Sequence, residues 1–532
     1  MMNYRRLTAM LLVSGLLTGA VAGCGSSTQT TDSGSGTTAQ TAAQDDTFEI
    51  LQTKDDGTIM GDYYVGSNED TINWGRLPNR DTEPVLTVES GSTVTFDTVS
   101  HEGLLEDQGR DALEYFTSQG VSEDEILTDA INITDSDIAH DFLEDGPHIV
   151  TGPVEVEGAE PGDVLKVEVL DLQPRVPYGV ISNRHYKGAL PDEFPENSPR
   201  YDDASAEEPE KYGDVSKFAP IKKVDDVWCS YYEVDGKEVT YELDPFLGIM
   251  GVATDTEEML SSVPPTEQGG NLDINELGEG STLYLPIEVE GAMFYTGDPH
   301  FAQGDGEVAL TALEGSLRGT VRLTVLKNGS EEIVGDSENF TQPFGETEDY
   351  WIPIGLDEDL DEAMKEACRE SIDFLNEQLG VDRDMAYAYL SAATDYEVSQ
   401  VVDKTKGIHA LIKKTDFINL LDINLTAGDT KQDVAVIDRT FYTPLEDTVK
   451  ALGGSVKWNG DTATVTLGSV EATMTKNSNI YYSNGAKVVQ DSALVEQDGT
   501  VLIPVQALNE VLNAAVNWST VGKSLNGVVT AK

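Results

Sequence analysis

The chain has 532 residues and carries 96 Asp and Glu against 34 Lys and Arg, a formal net charge of −62. Such a surface repels phosphate backbones and anionic headgroups, which argues against a nucleic-acid partner. The length exceeds what one core serves, so two or three domains are expected. Three cysteines, Cys24, Cys229 and Cys368, offer neither a disulfide framework nor metal-ligand spacing.

Residues 1–23 read as a secretory signal: Arg5 and Arg6, then an apolar run from Leu7 to Ala22 too short to span a bilayer comfortably. The run closes as Val21-Ala22-Gly23-Cys24, which resembles a bacterial lipobox. Acylation of Cys24 would anchor the chain on the extracytoplasmic face of a bacterial membrane. Residues 24–46 are almost wholly Ser, Thr, Gly, Gln and Ala, a composition that buries no core and predicts a flexible tether.

Residues 47–415 read as one mainly β domain of sandwich or barrel type. Val85–Val88 turns at Gly91 into Val94–Phe96, and 164–172, 283–289 and 321–325 alternate apolar with polar residues at period two. A helical segment interrupts this near 357–392. Leu360, Met364, Ala367, Phe374 and Leu379 fall at helical spacing, acids fill the first turn, and Gly380 ends it. Cys368 on this helix reads as an inert packing residue.

A linker is expected over 416–432, and residues 433–532 hold an internal repeat. Pro444 is followed by Trp458 and Pro504 by Trp518 at the same distance, so both recur at a shift of 60. Each unit reads as strand, Pro-started helix, turn and Trp-bearing strand, which together predict a small pseudo-symmetric α+β module. The pattern resembles the copper amine oxidase N-terminal-like domain. Residues 433–532 contain no His and no Cys, so no copper is expected there. A structural role or contact with the cell wall is expected.

The chemistry concentrates elsewhere. Five of the six histidines lie between residues 101 and 300. The densest stretch, Gly297-Asp298-Pro299-His300-Phe301-Ala302-Gln303-Gly304-Asp305-Gly306-Glu307, follows an apolar strand ending near Tyr295. Its glycines predict a sharply turning loop that aims several side chains at one point. His140 and His409 read as structural, and His185 more readily so than as a substrate contact. Cys229 beside Trp228 lacks the Glu and Lys partners of a cysteine amidase, and no Gly-x-Ser-x-Gly or Ser-x-x-Lys motif is present.

Several motifs in order make this part similar to the acetamidase/formamidase family. They are His148–Pro153, Val156–Asp163, Gly269-Gly270-Asn271-Leu272-Asp273, Gly291–Phe294, the 297–307 stretch, Gly355–Ala363 and Ser399–Asp403. The resemblance covers about residues 48–415. It implies a mainly β hydrolase that cleaves the C–N bond of small linear amides, releasing ammonia and a carboxylate, with a divalent metal in some members.

Amide hydrolysis needs an activated water, a stabiliser for the oxyanion and an acid for the departing amine, and a zinc-like ion supplies the first two. On that basis His300, Asp298 and His101 are the expected metal ligands, with zinc or calcium as the ion. Glu307 or Asp305 is the expected general base, and His300 belongs to the catalytic set. Asn271, Asp273, Gln303 and His148 are the expected substrate contacts. Homo-oligomerisation is expected as well. The competing reading is a surface lipoprotein that keeps the fold as a ligand receptor and has lost turnover.

Overall fold

The computed structural model describes residues 48–334, 339–521 and 524–532. The expected signal, the lipidation site Cys24 and the whole of the tether lie outside them.

The alternating segments form two large sheets with a shared apolar core between them. The nine-stranded sheet runs, in spatial order, Tyr63–Val65, Ser92–Asp97, Leu317–Leu326, Val164–Pro174, Thr282–Pro286, Phe344–Glu346, Tyr350–Asp357, Lys406–Lys413 and Asp395–Val398. Its middle strands bury the residues that the alternation singled out, among them Leu165, Val167, Val169, Leu283, Leu285, Val321 and Leu323. The second sheet is eleven-stranded and centres on Phe294–Ala302. That strand lies between Phe246–Gly251 on one side and Ile149–Val156 and Leu313–Glu314 on the other.

Here the expected loop is corrected. Asp298 and His300 sit within a strand, not on a turn after it. The strand is buried along almost its whole length, and its pairing registers shift, so neither alternation nor an unbroken apolar run marked it.

Helices Leu360–Leu379 and Arg383–Ala393 cover one end of the nine-stranded sheet. Asp359 caps the first by accepting from the backbone N–H groups of Asp361 and Glu362, and Gly380 ends it at φ 67°. The helix lies so close to Tyr350–Asp357 that a Cβ on Gly355 would stand 2.3 Å from the Ala363 carbonyl oxygen. Glycine is required there by space rather than by φ.

A buried ion pair joins two neighbouring strands of the nine-stranded sheet. Arg318 reaches Asp97 with Nε at 2.6 Å and Nη2 at 2.8 Å, both side chains fully buried, and Tyr64 donates to the same carboxylate at 2.6 Å. Removing the guanidinium leaves buried Asp97 with only Arg175, 3.5 Å away, as counter-charge. Arg318→Met is therefore expected to destabilise the domain by about 3 kcal/mol, read as a lowered urea midpoint for the full chain.

The C-terminal region begins earlier than its sequence suggested. The stretch 416–432, expected as a linker, contains strands Asp422–Ala427 and Thr430–Gln432, and the first pairs in parallel with Ser524–Ala531. The Pro–Trp repeat folds as a pseudo-twofold unit. Thr440–Pro444 and Thr500–Pro504 pair antiparallel with Thr443 opposite Ile503, residues that are equivalent by the 60-residue shift. Helices Leu445–Ala451 and Val505–Glu510 follow directly after the two prolines, which serve as their N-caps. Cys229 and Cys368 are both free thiols.

Candidate active site

The site is built on strand Phe294–Ala302. Residues two apart on a strand share a face, which puts Asp298 and His300 side by side. Opposite them is Gly248, where a Cβ would lie 2.6 Å from Asp273 Oδ1 and 2.8 Å from Asp298 Oδ2. The missing side chain leaves the space that both carboxylates fill.

Three acids of the centre hold left-handed backbone: Asp273 at φ 50°, Asp298 at 49° and Glu307 at 43°. Aspartate tolerates this region, glutamate less so, and such strain gathers where a site is over-determined by its surroundings. Glu307 is fixed by its neighbour: Gly306 bridges to Gln400 and donates to the Ser399 carbonyl at 3.1 Å. That same contact brings in the 399–405 segment and with it Asp403.

Around Asp298 the donors converge. Its Oδ1 lies 3.5 Å from His101 Nδ1, and its Oδ2 lies 3.7 Å from His148 Nε2 and 3.1 Å from His300 Nε2. His300 Nε2 is also 3.2 Å from Glu314 Oε1, and its Nδ1 is 4.0 Å from Asp273 Oδ1. Four donor sets overlap here: His101 with His148 and Asp298; Asp273 with Asp298 and His300; His300 with Glu307 and Glu314; Asp273 with Glu307 and Asp403. Within each, one ligand atom per residue lies within 4.8 Å of the others. Asp298 belongs to two of them.

These groups are buried yet poorly hydrogen-bonded. His101 Nδ1, both ring nitrogens of His300, Asp298 Oδ1, Glu314 Oε2, both Asp273 oxygens and Asn271 Oδ1 have no hydrogen-bond partner among the described residues. Leaving so many buried polar atoms unpaired is costly unless something else satisfies them. The spacing also fits: a tetrahedral site with zinc bonds of about 2.0–2.1 Å sets its donor atoms ~3.3 Å apart. By donor type, burial and unsatisfied lone pairs, the residues present fit a divalent cation.

The charges of the centre oppose one another. Burial, and after it Asp403, pushes the Asp273 carboxyl well above the usual range, and burial with Asp273 and Asp403 does the same to Glu307. Burial pushes Asp403 up to about 8. Asp298 behaves otherwise: against its burial, His148 and His300 hold it well below the usual carboxylate range. Burial drives His148 down to about 4, keeping it in the neutral form that ligates metals. Burial pushes His101 down as well, but Asp298 and Glu102 outweigh it and hold the ring at about 10. Glu102 is in turn anchored by Arg184 at 3.1 Å, and Arg184 by Asp107 at 2.6 Å.

Of the residues expected from sequence, His101, His148, Asn271, Asp298 and Glu307 line one cavity of about 350 Å³, with Glu314 and Asp403 beside them. Asp273 and His300 stand just behind this wall in the same donor sets. His148, expected as a substrate contact, stands among the potential ligands, and its Nδ1 pairs with Ser262 Oγ at 2.8 Å. Two residues are placed elsewhere. Asp305 is exposed and accepts from Asn275 Nδ2 at 3.1 Å, away from the cavity. Gln303 donates to the Asp273 and Ser399 carbonyls at 2.9 and 3.1 Å, holding the backbone of the site together. The sequence reading does not include Glu314, Asp403, Glu102 or Arg184 among the site residues. Asp403 closes the Ser399–Asp403 motif, whereas Glu314 carries no local signal.

His140 hydrogen-bonds Glu106 and the Gly146 carbonyl, and His185 the Ser198 carbonyl. His409 contacts Ser399 and Glu276. None of these three joins a donor set around Asp298.

Fold and site together define a mainly β protein with a buried acid–imidazole centre at the floor of a single cavity. The chain belongs to the acetamidase/formamidase family, which it matches over residues 121–263 and 252–417. Residues 423–525 match the copper amine oxidase N-terminal domain. Among curated proteins it is similar to a formamidase of Methylophilus methylotrophus, 29% identical over 303 residues, covering 48% of this chain and 73% of that one. An acetamidase of Mycolicibacterium smegmatis is 29% identical over 301 residues, covering 46% and 73%. A putative formamidase of Schizosaccharomyces pombe is 29% identical over 242 residues, covering 39% of this chain and 58% of its own. The fold is shared with a predicted acetamidase/formamidase from Thermoanaerobacter tengcongensis, TM-score 0.51 at 21% identity, covering 67% of this chain and 97% of that one. It is shared also with an acetamidase from Yersinia enterocolitica, TM-score 0.50 at 23% identity, covering 66% and 93%.

Proposed function

We propose that this chain hydrolyses the C–N bond of linear amides, giving ammonia and a carboxylate, at the centre around Asp298. The observation that carries the reading is the convergence of buried, unpaired imidazole and carboxylate atoms on Asp298 in a chain of this family. His101, His148, Asp298 and His300 would hold a divalent cation, with Glu314 and Asp273 as further donors. Such a cation, when bound, polarises a carbonyl and makes water a readier nucleophile.

The remaining work falls to side chains. Glu307 lines the cavity and takes the proton from the attacking water, then returns it to the departing nitrogen. Asn271 Oδ1, buried and unpaired, accepts from the amide NH₂ and orients it. Glu102 and Arg184 position His101 from behind.

The enzyme is placed outside the cytoplasmic membrane, held by a lipid on Cys24. The charged and apolar pattern of residues 1–24 supports this, and contact of the C-terminal domain with the cell wall is part of the same proposal. Copies of the chain are proposed to assemble as a homo-oligomer.

Ammonia release from formamide, acetamide and propionamide, with and without chelator, tests the reading. Turnover is expected to fall at least about tenfold on metal removal and to return with one divalent ion. Undiminished turnover after rigorous removal would refute the ligand assignment but leave the amidase. No ammonia from any amide would favour a receptor that keeps the fold without the reaction.

A further inference from the structure

The cavity is larger than formamide or acetamide needs. Its volume of about 350 Å³ is some ten times the ~30 Å³ share of a water molecule in the liquid, and it falls among pockets that enclose much larger ligands. Beyond the acid–imidazole floor its mixed walls include the apolar side chains of Phe142, Leu143, Pro191 and Val401.

Two amines stand in that same wall, Lys187 and Lys404. Lys187 is half-buried, and among the described residues no carboxylate, carbonyl or hydroxyl contacts its ammonium. The ammonium lies instead over the rings of Phe142 and Tyr212, 5.3 and 5.8 Å from their centroids. Lys404, exposed at φ 67°, makes no ion pair among the described residues either. What sets Lys187 apart from unpaired lysines on the surface, such as Lys217 and Lys237, is its half-buried place on the cavity wall. The third base on this wall, Arg184, is already neutralised by Glu102 and Asp107. Burial, then Arg184 and Lys404, hold the Lys187 amine down to about 8, with Asp107 only partly offsetting them. An unpaired cation kept beside like charges in a cleft marks a place where the counter-charge comes with the ligand.

Resting on the amidase reading, we propose that the substrate is a linear amide with a carboxylate at its far end, bound at Lys187 with Lys404. The amide sits at Asp298 and Glu307, the short aliphatic spacer lies along Phe142 and Leu143, and the carboxylate pairs with the amines. Neutral amides of the same length lack the last contact and bind less well.

The test compares kcat/KM for succinamate and glutaramate with that for propionamide and butyramide, using the full-length metal-loaded enzyme at low and high salt. A preference of at least about tenfold for the carboxylate-bearing amides is expected, shrinking as salt rises. Lys187→Met is expected to cut that preference at least about tenfold and Lys187→Arg to keep most of it. The Arg variant and the salt series keep the test decisive should the Met variant fold poorly. Equal turnover of charged and neutral amides, or a preference untouched in Lys187→Met, overturns the assignment while the amidase stands. No ammonia from either series overturns both.

Discussion

Asp298→Asn is expected to lower amide turnover by more than about a hundredfold and to strip divalent metal from the chain. The bound follows from comparison: loss of an outer partner of a metal ligand already costs about 10–100-fold, and Asp298 is shared by two donor sets. The substitution isolates charge from shape. Asparagine fills the same volume, and it is the other residue that accepts the left-handed φ of 49° at this position. What it removes is the ionised carboxylate that His148 and His300 hold in that state. Without it no single carboxylate lies within 4 Å of all three rings, His101 keeping only Glu102 and His300 only Glu314 and Asp273. Elemental analysis of purified enzyme and steady-state ammonia release are the two measurements. A variant with full metal content and full turnover would show that the donors around Asp298 do not constitute the reactive centre.

Where one local rule decided the outcome, the fold was legible. Period-two alternation marked residues 164–172 and 321–325, which lie in strands Val164–Pro174 and Leu317–Leu326. The acidic start and Gly380 bounded the long helix because caps act through neighbouring residues. The Pro–Trp repeat gave the C-terminal module because its halves pair with each other. Where partners lie far apart in the chain, the reading failed. Phe294–Ala302 looked like a loop because Gly297, Asp298 and Pro299 interrupt it, yet neighbours on both edges hold it as a strand. Asp298, His300 and Glu307 were found from their crowding in one stretch. Asp305 was found the same way but faces outward, since proximity along the chain does not fix direction between Gly304 and Gly306. Glu314 and Asp403 reach the centre only through tertiary pairing, Glu314 beside His300 across adjacent strands and Asp403 through the bridge from Gly306 to Gln400.

That contrast between neighbouring acids supports the second large effect. Glu307→Gln is expected to reduce kcat about 10²–10⁴-fold while metal content stays intact, because a positioned base is lost and the donors around Asp298 are not. Asp305→Asn is expected to leave turnover within about twofold, as befits an exposed acid bonded to Asn275. Glutamine keeps the size of Glu307 and its backbone strain at φ 43°, so a collapse of the 304–307 turn would not explain the loss. Glu307→Ala opens space beside the cavity, and added formate is expected to restore part of its acetamide turnover by standing in for the missing carboxylate. Rescue places a proton acceptor at this position. Without rescue, and with metal lost from Glu307→Gln, the side chain would instead be a ligand, as its proximity to His300 and Glu314 also allows. The metal content of Glu307→Gln therefore decides between base and ligand.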